Sequence, residues 1–192
     1  MHRMRAAALL AALGLTVAGQ REAPAVGNDR AAHRTSPVDM IVLHTIGGPH
    51  CRHGRLVFSG APGDARRWQA FFAQAEVIGI HHVVDRAGLV LSGITEDRVA
   101  NHARGHNQRS IGIELVNDGD GRDPFTAAQM NSLTRLIQAI IERHPSITLS
   151  RVVRHSDLDD RHFICGGRRV KLKQDPGPAF DLEGLRERLQ RR

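Results

Sequence analysis

A chain of 192 residues with 41% hydrophobic side chains is long enough for one domain with a sizeable core and barely long enough for two. Its 27 basic and 20 acidic residues give +7 at pH 7, a balance suited to an anionic partner such as nucleic acid, acidic lipid or an acidic envelope polymer. Only 4% of residues are aromatic and none is Tyr, so stacking platforms for single-stranded nucleic acid are scarce, and no apolar run reaches the ~18 residues that cross a bilayer.

Met1–Arg5 is basic, and a run of mostly Ala and Leu follows to Ala18. The pattern predicts a secretory signal peptide over 1–25, cleaved near Gly19 or Ala25, with an ordinary N-terminal helix as the alternative. No Cys lies near the cleavage region, so no lipid anchor is expected. The mature chain is expected in the periplasm or outside the cell. In an oxidising compartment Cys51 and Cys165 can pair; two free thiols, or one thiol on a metal, are the alternatives. Residues 26–39 lack periodicity and read as a flexible leader to a domain over 40–192.

Met40–His44 is a continuous apolar run ending in His, as in a buried central strand. Thr45–Asp64 carries five glycines and two prolines and reads as a long functional loop. Arg66–Glu76 sets Trp68, Phe71, Phe72 and Ala75 on one helical face directed at the core. Ile80–Asp85 and Leu89–Ser92 read as strands joined by a turn at Gly88. Ser110–Val116 is a further strand in which Gly112 marks the close approach of another group. Thr126 and Gln129 have capping-box spacing ahead of a stripe formed by Met130, Leu133, Leu136, Ile137, Ile140 and Ile141. Val152–His155 is a short strand, and Asp181 caps a last helix bearing Leu182, Leu185 and Leu189. This order implies an α/β fold, a central mixed β-sheet flanked by helices.

Most of the 12 histidines must be surface groups or satisfied core residues. His44 and His155 differ because each closes an apolar run, which aims it into a loop at a strand end. Asp175, fixed by Pro176-Gly177, can supply a third ligand. Two His and one carboxylate, with a fourth position for water, form the ligand set of a catalytic zinc, although the spacing matches no local zinc motif.

From Met40 onward the chain resembles the zinc-dependent N-acetylmuramoyl-L-alanine amidases, whose fold is shared with phage amidase lysozymes and peptidoglycan recognition proteins. The resemblance rests on Ile41-Val42-Leu43-His44-Thr45, on His81-His82-Val83-Val84-Asp85-Arg86-Ala87-Gly88, and on Asn101-His102-Ala103 through Asn107 into Ser110-Ile111-Gly112-Ile113-Glu114. Arg154-His155-Ser156-Asp157 and Lys173-Gln174-Asp175-Pro176-Gly177 complete it. It implies one Zn²⁺ on His44, His155 and Asp175, the Asp resembling the bacterial muropeptide amidase branch. It also implies Glu114 as general base, Lys173 beside the metal, and His102 and Asn107 near the substrate groove. The tyrosine of the phage and recognition-protein branches has no counterpart, Ile80 standing in its place, and His82 replaces a common aromatic. The stretch from Asp157 to Lys173 is longer than usual.

The activity implied is hydrolysis of the bond between N-acetylmuramic acid and L-alanine in peptidoglycan or muropeptides rather than action on nucleic acid; oligomeric state is open, with a monomer as the default. A non-catalytic peptidoglycan-binding module is the main alternative. A stem-peptide zinc peptidase would need a His-Glu-x-x-His that the chain lacks, and no nucleic-acid motif is present.

Overall fold

The computed structural model describes residues 31–191; the expected signal peptide lies outside them. In chain order the strands and helices are β1 (Met40–Thr45), β2 (Pro49–Arg52), β3 (Arg55–Phe58), α1 (Ala65–Gln74), β4 (His82–Val84), β5 (Val90–Ser92) and β6 (Ser110–Leu115). Then come α2 (Ala127–Arg143), β7 (Val152–Arg154), β8 (His162–Cys165), β9 (Arg168–Lys171) and α3 (Leu182–Gln190).

Five strands form one mixed sheet in the order β5-β4-β6-β1-β7. β1 runs parallel to β6 and β7, β6 parallel to β4, and β5 antiparallel to β4. Alternation sorts the side chains. Ile41 and Leu43 of β1, with Ile111, Ile113 and Leu115 of β6, pack under Leu133, Ile137 and Ile140 of α2 and Leu185 of α3. The intervening positions, Val42 and His44 on β1 and Gly112 and Glu114 on β6, belong to the opposite face. That face carries the chemistry.

α1 covers the β4–β5 end of the sheet. Trp68 and Phe72, one helical turn apart, pack with Ile80, Val83 and Leu91. Phe71 stays 48% exposed, contrary to the expectation that it joins the core, because the i+3 position falls at the rim of that contact. The capping box at α2 is half formed. Thr126 accepts from the Gln129 amide, but the Gln129 side chain donates to Val84 and Val116 carbonyls, at 3.0 and 3.2 Å, where the β4–β6 ladder ends. The Gln129 carboxamide thus ties the end of the ladder, adding a second donor to the Val84 carbonyl that already accepts from the Val116 amide, instead of closing the cap.

Two corrections concern regions without apolar periodicity. Ala32 to Asp39, expected to be part of a flexible leader, is tied to the domain. The Arg34 guanidinium donates to the carbonyls of Glu96, Asn107, Gln108 and Ser110 at 2.7–2.9 Å, and the Val99 amide donates to Ala32. One planar group with five donors gathers four carbonyls from the Glu96 turn, the Asn107–Gln108 turn and the start of β6. The loops expected at 45–64 and 157–173 each fold into an antiparallel hairpin, β2–β3 and β8–β9. The turn pairs His53-Gly54 and Gly166-Gly167 all have positive φ, as two-residue hairpin loops require.

Candidate metal centre

The C-terminal end of β1 delivers His44, and the 3₁₀ turn after β7 delivers His155; both are 3% exposed. The turn Gln174–Gly177, closed by a Gly177 N–H to Gln174 bond, carries Asp175, and the Asp175 carbonyl accepts from Ser156. Asp175 Oδ2 lies 3.0 Å from His44 Nδ1 and 2.9 Å from His155 Nδ1. Among the described residues these three form the one group of His, Cys, Asp or Glu able to close on a metal, all ligand atoms lying within 4.8 Å.

The hydrogen-bond network around His44 fixes its tautomer, the protons being assigned from that network. Ser110 Oγ lies 2.7 Å from the His106 carbonyl, so its hydroxyl proton is committed there. It must then accept from His102 Nε2 at 3.2 Å, which leaves His102 Nδ1 as an acceptor. His102 Nδ1 is 3.1 Å from His44 Nε2, so His44 carries its proton on Nε2 and presents a bare lone pair at Nδ1. That lone pair faces the Asp175 oxygen. Two acceptors at such a distance repel unless a cation lies where both point. His155 is less constrained: its Nδ1 donates to Asp175 when protonated, and offers a lone pair when the proton sits on Nε2.

The electrostatics agree. Burial lowers the pKa of His44 and takes His102 well below the usual range, which keeps both neutral. Burial opposes ionisation of Asp175, yet the contacts with His155 and His44 together outweigh it and hold the carboxyl well below its ordinary value. A carboxylate and two imidazoles form a donor set that suits a divalent metal such as Zn²⁺.

Glu114 stands opposite His44 in the β1–β6 register. Burial first, then the Asp175 charge, raises it to about 8, while Lys173 pulls the other way. Its Oε2 is buried and has no hydrogen-bond partner. Lys173 is close enough to lower the pKa of His44 as well.

His102 and Asn107, expected near the substrate groove, are half-buried and also make contacts within the protein. The Asn107 carboxamide oxygen accepts from the His102 and Ala103 amides, at 3.1 and 2.7 Å, and thereby shapes the loop that carries His102. The His102 ring fills the space above Gly112: a Cβ there would lie 2.6 Å from His102 Cγ. Gly112 thus signalled a close approach, and the approaching group is the imidazole behind the ligand. His81, buried beneath, accepts from the Gly112 amide through Nδ1 at 2.9 Å, and burial lowers it to about 3. Ile80 is a core residue packed against α1. Sequence reasoning missed the Ser110–His102 support because neither residue lies in a ligand segment.

Cys51 and Cys165 are joined by a disulfide, with Cα atoms 5.5 Å apart. It links the β2–β3 and β8–β9 hairpins, which grow from the same loops as the three candidate ligands.

Residues 34–178 match the N-acetylmuramoyl-L-alanine amidase family. The 1,6-anhydro-N-acetylmuramyl-L-alanine amidase AmpD of Haemophilus influenzae is 33% identical over 114 residues, 55% of either chain, so the match spans about half that relative's length. The endolysin of Escherichia phage T7 is 36% identical over 104 residues, 52% of this chain and 68% of the phage protein. Among solved structures, a selenomethionine AmpD derivative superposes with TM-score 0.59 at 25% identity, covering 88% of this chain and 94% of that one. The amidase AmiD from E. coli, in complex with anhydro-N-acetylmuramic acid-L-Ala-D-gamma-Glu-L-Lys, gives 0.57 at 24% identity over 83% of this chain and 61% of its own. The match over residues 34–178 covers the sheet and all three converging donors, and the chain belongs to the N-acetylmuramoyl-L-alanine amidase family.

Proposed function

We propose that this protein is a zinc-dependent amidase that cleaves between N-acetylmuramic acid and L-alanine in peptidoglycan or its muropeptides. The observation that carries the reading is the convergence of His44 Nδ1, His155 Nδ1 and Asp175 Oδ2, with the His44 lone pair already set toward the carboxylate. Those three residues would hold one Zn²⁺. Bound there, zinc brings the pKa of a ligated water toward ~7 and polarises a carbonyl.

The protein's own residues do the rest. Glu114, half-buried beside His44 with its pKa raised above the ordinary carboxylate range, takes the proton of the attacking water in its ionised form and returns it to the departing L-alanine amine. Its unbonded Oε2 leaves a lone pair for that transfer. Lys173 offsets the negative charge that develops on the lactyl carbonyl oxygen. His102 and Ser110 keep His44 in its ligating tautomer and orientation. A substrate resembling the AmiD ligand is joined through the γ-carboxyl of D-Glu, so its α-carboxylate stays free. The signal peptide read over 1–25 belongs to the same proposal and places the reaction outside the cytoplasm, with a monomer acting on the wall.

Digestion of purified peptidoglycan and of a soluble muropeptide tests this, with products identified by mass spectrometry. The expected result is release of stem peptides with a free L-alanine amine, abolished by a chelator and restored by zinc. Sedimentation with the wall and no release from either substrate would make the chain a binding module.

A further inference from the structure

The excess positive charge is concentrated in one place. The chain holds 27 basic and 20 acidic residues, and the segments 49–58 and 161–173 contain seven of the basic and none of the acidic. The remaining sequence therefore balances at twenty of each. Arg161 is paired with Asp159 and Lys171 with Asp160. Among the described residues Arg52, Arg55, Arg168 and Arg169 have no carboxylate partner.

The fold gathers these four instead of spreading them. Arg52 and Arg55 face each other across the β2–β3 ladder, an arrangement of like charges that costs stability. Arg168 pairs across its own hairpin with Cys165, and Arg52 follows Cys51, so one arginine from each hairpin flanks the disulfide. The turns also touch: a Cβ on Gly166 would lie 2.3 Å from the Gly54 carbonyl. Two hairpins joined by a covalent bond and a backbone contact form one basic region, with Arg168 and Arg169 on its two faces. Ile164, 67% exposed, is the cross-strand partner of Arg169 and adds apolar area beside it. β2 begins five residues after His44, and β9 ends four residues before Asp175, so the surface is rooted in the loops that build the candidate metal centre.

We infer that the disulfide-joined hairpins are a docking surface for polymeric peptidoglycan, on which Arg52, Arg55, Arg168 and Arg169 take the free carboxylates of stem peptides next to the one being cut. This rests on the amidase reading and extends it to substrate class. Guanidinium groups pair with carboxylates in two-pronged fashion. A lone muropeptide brings few carboxylates, whereas a wall presents many at once, so only the polymer gains the multivalent advantage.

The test uses the full chain and a variant carrying Arg52→Gln, Arg55→Gln, Arg168→Gln and Arg169→Gln. Sedimentation with purified sacculi, peptide release from sacculi and cleavage of a soluble muropeptide are measured side by side. The expected result is a fall of about tenfold or more in sacculus affinity and release, with muropeptide turnover within about twofold of the parent. Parent binding should weaken in salt and vanish on sacculi whose carboxyls have been converted to amides. Unchanged binding by the variant, or binding that survives amidation, overturns the inference. So does arginine-dependent binding to phosphatidylglycerol vesicles that exceeds binding to sacculi. Absence of peptide release from both sacculi and muropeptide by the parent would instead count against the amidase reading, while arginine-dependent sedimentation still supported docking.

Discussion

At the end of β1 a carboxylate meets two histidines, and near the β4–β5 edge Glu96 does the same with His82 and His144. The two groups have like composition and opposite character. Glu96 Oε1 accepts from His82 Nε2 and Arg143 Nη2 at 2.8 and 2.7 Å, and Oε2 accepts from His144 Nε2 and Arg143 Nε at 2.8 and 3.1 Å. Each oxygen is satisfied by N–H groups, so the histidines present protons rather than lone pairs. Burial would raise Glu96, but the bonds from His82 and Arg143 hold it well below the usual range. That cluster is closed, and no place is left for an ion. At Asp175 no arginine intervenes, and the Ser110–His102 chain turns the His44 proton away from the carboxylate. Residue types alone do not make a metal centre; proton direction does.

The sharpest way to break the comparison is Asp175→Ala. It should reduce the zinc retained after dialysis to background and slow peptide release by about 10³-fold, several kcal/mol of lost stabilisation. Zinc content and rate are the readouts, and a variant that keeps one ion per chain would show that the donor set is wrong. Next comes the support behind His44. His102→Ala should weaken zinc binding about 10- to 100-fold in competition with a chelator. Gly112→Ala should shift affinity the same way, because its methyl group would displace the His102 ring; unchanged affinity in both would remove the relay.

Glu96→Gln sharpens the contrast from the other side. It strips the charge from a carboxylate that is 14% exposed and faces three donor side chains. The unfolding free energy should fall by about 2 kcal/mol, below the cost of a fully buried pair because Arg143 is partly solvated. Zinc content should not change. A Glu96→Gln chain that lost zinc would mean that the two clusters are coupled.

The smallest effect is a pH limb in the metal-free protein. His44, His81 and His102 have lowered pKa values, so below ~6.5 the unfolded chain binds more protons than the folded one and stability falls as pH drops. Glu114 is raised to about 8, so between ~4.5 and 8 the folded chain binds more protons and stability falls as pH rises. The histidine contribution is complete above ~6.5. The decline from there to pH 8 belongs to Glu114, at most about 1.4 kcal/mol per pH unit. Glu114→Gln should flatten it in denaturation curves, and a decline that persisted would assign the limb to another group.

Much of this was legible in the chain. β1, β6 and α2 follow from apolar runs and a 3.6-residue stripe, patterns that survive folding because burial enforces them. His44, His155 and Asp175 were readable as donors set at strand ends and in a Pro-Gly turn. The hairpins were not, since their Arg, Gly and Cys residues serve solvent, turns and a cross-link rather than a core. Arg34 left no signal either, because its partners are main-chain carbonyls with no residue identity.

The sequence by itself determined the layers of the fold, the chemical types of the donors and the concentration of positive charge in two loops. Those are properties of local pattern and composition. Only the tertiary structure decided that β1 and β6 pair in the register that sets Glu114 beside His44, and that His102 turns the His44 lone pair toward Asp175. It also locked the two basic loops together through Cys51 and Cys165. Register, proton direction and cross-links join residues up to 131 positions apart, and over such separations no periodicity survives to record the contact.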